Sequence, residues 1–137
     1  MIKPAKALTI LFVLLIGVVH IYSQNAVNNA PTLGPVVRAY YRALRKKDDR
    51  AIERVIQIKF LNQLKADMKA EHKRHIAAYL AETDRPHRKI EVRNEKIKGD
   101  WGNAEVRGGT YLNWTPLDFV KEDGVWKLSF EKSPTMD

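Results

Sequence analysis

The sequence predicts an α+β domain in which three N-terminal helices pack on one face of an antiparallel sheet of about four strands, preceded by a signal segment. In the first half of the chain, apolar residues recur with the 3.6-residue period of amphipathic helices. In the second half, short segments alternate apolar and polar residues and are separated by turns that contain glycine. Because the helical segments precede the strands, we expect the helices and the sheet to form two separate layers.

The N-terminal segment has the composition of a signal peptide. Lys3 and Lys6 form a short positive region, and the 13 residues at 7–19 carry no charge. A core of this length matches the roughly 7–15 residues of a signal peptide and is shorter than the roughly 20 of a transmembrane helix. Cleavage is expected after Ser23, with Ala26 as the second position. We therefore expect an exported protein, periplasmic or extracellular, with an uncleaved N-terminal membrane anchor as the alternative.

The rest of the chain is long enough for one domain and too short for two. We divide the sequence into a signal peptide or anchor, a flexible polar linker, one folded domain and a short tail, at residues 1–23, 24–33, 34–132 and 133–137. The sequence contains no cysteine, which excludes disulfides, thiol catalysis and cysteine-ligated metal sites. Packing alone must therefore hold the domain together.

Three helices are predicted between residues 34 and 81. The first begins at Gly34 and Pro35, because proline needs no hydrogen-bond partner at the first helical position. Its buried face follows the spacing i, i+3, i+4 and i+7 and consists of Val37, Tyr40, Tyr41 and Leu44. Asp48 or Asp49 caps a short second helix. A longer third helix is predicted from Phe60 to Ala81, and it ends before Pro86.

Four strands are predicted in the second half. The alternation changes phase between Val92 and Ile97, which indicates a β-bulge in the first strand. Turns at residues 99–102 and 122–124 separate the strands, and glycine supplies the backbone conformation that such turns need. The last strand is predicted to direct Trp126, Leu128 and Phe130 to the core and Lys127 and Ser129 outward.

The net charge of +8 is unevenly placed along the chain. Residues 38–89 carry 15 basic and 7 acidic side chains, whereas residues 90–137 carry 7 basic and 9 acidic ones. Because the charges interleave, we interpret the basic residues as the solvated faces of the helices. The alternative is a basic module that binds an anionic membrane or cell-wall polymer. Nucleic acid is not an expected partner of an exported protein.

Four short segments share the order and spacing of a known family. They are Pro35-Val36-Val37 with Tyr40-Tyr41 and Ala43-Leu44, then Asp48 or Asp49, then Lys96–Asp100 with Ala104-Glu105-Val106, and finally Lys121–Leu128. In this they resemble the nuclear-transport-factor-2-like superfamily, and in particular its small exported bacterial members of unknown function, related to SnoaL-like and lumazine-binding-like domains. The resemblance covers residues 35–130.

The resemblance implies a cone-shaped, cystatin-like fold, in which a curved sheet wraps around a long helix and often encloses a pocket. Members of the superfamily include isomerases, dehydratases, subunits of larger enzymes and many non-catalytic proteins, so the fold does not decide the activity. Its isomerases use tyrosine and aspartate in the cone, and no aspartate of this sequence matches that role.

Six residues are candidates for the lining of such a pocket: Tyr40, Tyr41, His72, His75, Tyr79 and Trp114. His72 and His75 are three residues apart and share one face of the predicted third helix. They could supply two metal ligands or one acid–base group, but zinc needs a third protein ligand and the sequence has no His-Glu-x-x-His pattern. The favoured interpretation places both histidines at a hydrated boundary of the core. We therefore assign no catalytic residue, no metal site and no cofactor.

The sequence thus favours a non-catalytic exported domain that binds a small apolar or anionic ligand, or a partner protein, through the cone. One alternative is a pocket enzyme of the isomerase or dehydratase type that uses histidine or tyrosine as acid–base groups. The other is the basic module described above. The sequence does not decide whether the protein forms a homodimer. Contact with a membrane is expected only through an uncleaved N-terminal segment.

Overall fold

The computed structural model describes residues 32–85 and 89–131. The predicted signal peptide, most of the predicted linker and the predicted tail lie outside these residues. Within the described part of the chain, no helix combines the length and the apolar character that crossing a bilayer requires.

Helices precede strands in the described residues, as the sequence predicts. The helices are α1 (Gly34–Lys46), α2 (Asp49–Val55), α3 (Ile58–Ala70) and α4 (Ile76–Ala81). The strands are β1 (Glu91–Lys98), β2 (Trp101–Gly108), β3 (Tyr111–Glu122) and β4 (Val125–Ser129). The strands form one antiparallel sheet in the order β1-β2-β3-β4, and the sheet is not closed. The fold class is therefore α+β.

Helix α1 buries the stripe that its period predicts. Val37, Tyr40, Tyr41 and Leu44 are each at most 5% exposed. The helix contains no acidic residue, and its basic side chains lie on the exposed side. It contacts both edge strands of the sheet, β1 and β4. Two adjacent tyrosines are thereby packed into the interior.

The prediction of one continuous third helix is wrong. Helix α3 ends at Ala70, and α4 begins at Ile76 after a turn in which His72 has a φ of 57°. Residues 71–75 are all exposed and polar, so no apolar side chain holds this segment against the core. After the turn, α4 packs against α1 and α2 and buries Ile76. The described residues therefore contain four helices where three were predicted.

The predicted bulge in β1 is confirmed. The pairing of β1 with β2 shifts register between Arg93 and Lys96, and Asn94 within the bulge has a φ of 53°. The carboxylate of Glu95 accepts hydrogen bonds from the backbone N–H groups of Thr32, over 3.1 Å, and Gly34, over 2.5 Å. The bulge therefore brings a negative charge to the start of α1, where the unpaired N–H groups and the helix dipole favour it.

Remote carboxylates also cap two other helices. The N–H of Ile58, at the start of α3, donates to Glu122 in β3 over 3.0 Å. The N–H of Ala77, in the first turn of α4, donates to Asp49 over 3.0 Å. Only α2 has a side-chain cap of its own, in which Asp48 accepts from Ala51 over 3.0 Å. Three of the four helix starts therefore depend on residues distant in the sequence.

The core lies between the helices and the sheet. On the sheet side it consists of Ala104, Val106, Phe119 and Leu128, each at most 6% exposed. Along β2 and β3 these positions alternate with more exposed residues, which gives this part of the sheet one buried face. Burying a phenylalanine side chain contributes about 1.5–3 kcal/mol, so Phe119 is a main support of this layer.

Candidate functional site

A cavity of about 110 Å³ lies between α1, the segment after α4, and strands β3 and β4. Its polar lining consists of Tyr40, Tyr41, Asp84, Tyr111 and Ser129. Its apolar lining consists of Val37, Leu117, Leu128 and Phe130. A concave, mostly apolar space with a few converging polar groups is typical of a small-molecule site.

Local structure brings the polar residues together. Tyr40 and Tyr41 are consecutive on α1, and their rings meet edge to face with centroids 5.1 Å apart. Asp84 follows α4, where its backbone N–H donates to the carbonyl of Leu80 over 2.8 Å. In the turn between β2 and β3, Gly109 has a φ of 60°, and a Cβ on it would lie 3.0 Å from the Tyr41 ring. This glycine therefore lets the turn approach the tyrosine closely.

The Asp84 carboxylate is the acceptor at the centre of this group. Its Oδ1 atom accepts hydrogen bonds from the hydroxyl of Tyr41, over 3.0 Å, and from the hydroxyl of Thr110, over 2.6 Å. The backbone N–H of Arg85 donates to the same Thr110 hydroxyl over 3.3 Å. These bonds connect α1, the segment after α4 and the β2–β3 turn.

The three phenols of the cavity are held in their neutral form. Burial raises the pKa of Tyr40, Tyr41 and Tyr111, because desolvation disfavours the phenolate. The negative charge of Asp84 raises each pKa further, and hydrogen bonding to Asp84 does so for Tyr40 and Tyr41. At neutral pH all three tyrosines are therefore uncharged.

Among the described residues that line the cavity, Asp84 is the one charged side chain. Within residues 32–85 and 89–131, no lysine, arginine or histidine forms an ion pair with it. The described surroundings of the cavity thus supply a carboxylate, four aromatic rings and hydroxyl groups, without a balancing cation.

Of the six predicted pocket residues, Tyr40 and Tyr41 line this cavity and the other four lie elsewhere. His72 is exposed in the turn between α3 and α4. The side chain of His75 is 75% exposed, and its Nδ1 atom lies 3.1 Å from a carboxylate oxygen of Asp49. Tyr79 donates a hydrogen bond to Glu71 over 2.9 Å. None of these three residues is among those that line the cavity.

Trp114 belongs to the sheet face that points away from the helices. The guanidinium carbons of Arg93 and Arg107 lie 4.0 Å and 4.6 Å from the centre of its ring. Each arginine also pairs with a glutamate across the β1–β2 ladder, Arg93 with Glu105 and Arg107 with Glu91. The charges in this group of residues therefore balance one another.

Sequence reasoning missed Asp84, Tyr111 and Ser129. Asp84 precedes Arg85 and Pro86, and that context is typical of a helix terminator and not of a site. The prediction that Ser129 points outward is wrong: it is 8% exposed and donates to the side-chain oxygen of Gln57 over 3.1 Å. Phe130, predicted to be buried, is 54% exposed and stacks on Phe60. The only local signal was the pair of tyrosines on the buried face of α1.

Among the described residues, no group of three or more histidine, aspartate or glutamate side chains is arranged to hold a metal ion. No family model, curated protein or solved structure matches the chain. The likeness to the nuclear-transport-factor-2-like superfamily stays a prediction that rests on the short sequence patterns.

Proposed function

We propose that this protein is an exported, non-catalytic domain that binds a small ligand in the cavity between α1 and the sheet. The observation that supports this is the combination of an apolar space with converging polar groups on its wall. The rings of Tyr40, Tyr41 and Tyr111 supply apolar contact area, and their neutral hydroxyls supply hydrogen bonds.

The volume limits the size of the ligand. An engineered apolar cavity of about 150 Å³ holds benzene, which has six carbon atoms. A cavity of about 110 Å³ therefore suits a ligand, or a ligand group, of about four to six non-hydrogen atoms. The carboxylate of Asp84 disfavours an anionic ligand here, because like charges repel each other.

The arrangement favours binding over catalysis. The hydroxyl of Tyr41 already donates to Asp84, and its raised pKa makes it a weak proton donor at neutral pH. His72 and His75 are not among the residues that line the cavity, so they do not complete an acid–base pair there.

A cavity-sized neutral compound, 2-methylpropanol, tests the proposal. In NMR titrations we expect saturable shifts at Val37, Tyr111 and Leu128 in the wild type. Leu117→Trp should abolish these shifts, because the indole fills the cavity. Leu112→Trp is the matched control, since Leu112 lies on the same strand and is 87% exposed. Equal shifts in Leu117→Trp would contradict the proposal, and so would the absence of shifts in the wild type with this alcohol and with its ammonium and carboxylate analogues.

The second candidate is a pocket enzyme, and one observation favours it. The Tyr41 hydroxyl and the Asp84 carboxylate are 3.0 Å apart inside the cavity, a distance that suits proton transfer. In this case Asp84 would act as the base. NMR spectroscopy of candidate ligands after incubation distinguishes the two functions, because it detects isomerisation as well as dehydration. Conversion by the wild type and not by Asp84→Asn supports the enzyme, whereas recovery of unchanged ligand from both supports the binding domain.

A further inference from the structure

The charge on the wall of the cavity indicates the kind of ligand that the cavity binds. Asp84 is the only charged lining residue, and it makes no ion pair within the described parts of the chain. Asp84 is partly buried, and a carboxylate that loses part of its hydration gains from a positive charge or from hydrogen bonds. Tyr41 and Thr110 donate two hydrogen bonds to it, but neither neutralises the charge.

We infer that the cavity selects a small organic ammonium ion, held by the carboxylate of Asp84 and by the rings of the surrounding tyrosines. This inference rests on the proposed binding function and specifies the class of ligand. A positive group beside Asp84 would gain a charge-assisted hydrogen bond. The aromatic rings of the wall attract cations through the negative potential of their faces.

Asp84 retains the capacity to bind such a group. An ionised carboxylate offers about four acceptor positions, and Tyr41 and Thr110 occupy two. An ammonium group carries up to three donors and needs only one of them here. Its short alkyl part would contact Val37, Leu117 and Leu128.

The basic surface of the protein does not cancel this preference. The net charge of +8 repels cations at long range, but salt screens exposed charges beyond about 8 Å at physiological ionic strength. A charge pair inside a cavity is screened much less. The carboxylate of Asp84, and not the net charge of the protein, therefore determines the sign of the charge on the preferred ligand.

Three compounds of nearly equal shape test the inference on the wild-type protein. They are 2-methylpropylammonium, 2-methylpropanol and 2-methylpropanoate, which differ mainly in charge. We expect the dissociation constant of the ammonium compound, measured by NMR titration at neutral pH, to be at least about tenfold lower than that of the alcohol. Binding of the carboxylate compound should be weaker still.

Each outcome bears on a different statement. Equal or tighter binding of the alcohol overturns the inference and leaves the binding function standing. Tightest binding of the carboxylate compound also overturns the inference alone. If none of the three compounds shifts the cavity resonances, both the inference and the proposed function fail.

A pair of charge-removing variants identifies the residue responsible. Asp84→Asn keeps the shape of the side chain and should reduce the preference for ammonium over alcohol to less than about twofold, if charge is its cause. Asp123→Asn is the control, because Asp123 is exposed in the β3–β4 turn and has a φ of 51°, which asparagine tolerates. It should retain the wild-type preference. Retention of the full preference in a folded Asp84→Asn variant overturns the inference.

Discussion

Two regions of the molecule contain the same hydrogen bond in different surroundings. In the cavity, the hydroxyl of Tyr41 donates to Asp84 over 3.0 Å. At the turn between α3 and α4, the hydroxyl of Tyr79 donates to Glu71 over 2.9 Å. The pKa of both tyrosines is raised, but burial is the largest cause at Tyr41 and the hydrogen bond itself is the largest at Tyr79.

The difference shows that the donor–acceptor distance alone does not determine how much each of the two hydrogen bonds contributes to stability. Water competes for an exposed hydroxyl and carboxylate, so their net contribution to stability is small. In a packed interior, a polar group whose hydrogen-bond partner is removed is left unpaired, and water does not replace the partner. The free-energy cost of desolvating that group then remains uncompensated. Tyr41 is 1% exposed, so its hydroxyl belongs to the second case.

Removal of each hydroxyl tests this comparison directly. We expect Tyr41→Phe to lower the free energy of unfolding by about 1.5–3 kcal/mol, the range for a bond to a charged group. Tyr79→Phe should leave the urea midpoint nearly unchanged, because solvent replaces its bond to Glu71. Urea denaturation followed by circular dichroism measures both. Equal losses in the two variants would refute the distinction between the regions.

The dependence of stability on alkaline pH tests the same comparison of buried and exposed tyrosines, and it leaves Asp84 unchanged. An unperturbed phenol has a pKa of about 10, and the pKa values of Tyr40 and Tyr41 are raised above it in the folded state. Above pH 10 the folded state therefore binds more protons than the unfolded state, and stability falls as the pH rises. The slope for one phenol that is protonated only when folded is about 1.4 kcal/mol per pH unit.

The effect is measured from denaturant midpoints at pH 9, 10 and 11. Tyr41→Phe should lose stability less steeply than the wild type over this range, because it lacks one of the protected phenols. At pH 11, tyrosinate absorbance should also be lower in the folded protein than in the denatured chain. A pH dependence identical in wild type and variant would show that Tyr41 ionises as readily in the fold as outside it.

The smallest expected effect concerns a partly buried carboxylate outside the cavity. Glu95→Ala removes the acceptor for the N–H groups of Thr32 and Gly34 at the start of α1. Loss of a helix cap costs about 1 kcal/mol, so a decrease of that size is expected in urea denaturation. Glu95→Gln keeps an oxygen acceptor and should lose less. A stability unchanged in Glu95→Ala would mean that water caps this helix equally well.

The parts of the fold that local periodicity determines could be predicted from the sequence. The buried stripe of α1 and the bulge in β1 each follow from spacings within about ten residues. The break between α3 and α4 also had a local signal, the polar run at 71–75, but the apolar residues on either side suggested one continuous stripe. Trp126, predicted as core, is only partly buried, whereas Phe119 is fully buried.

The site itself could be predicted only in part. The two tyrosines of α1 were found because they lie on its buried face. Their partner Asp84 is 43 residues away from Tyr41 in the sequence, and Thr110 is a further 26 residues from Asp84. No spacing rule links residues at such separations, because the chain must first turn after α4 and again between β2 and β3.

The remote caps have a consequence for the order of folding. The bonds from Gly34 to Glu95 and from Ile58 to Glu122 span 61 and 64 residues, so neither forms until the strands are in place. We therefore expect the first turns of α1 and α3 to be completed late, when the sheet docks on the helices. We expect loss of either cap to speed unfolding and to leave the folding rate almost unchanged, as is usual for contacts that are absent from the transition state.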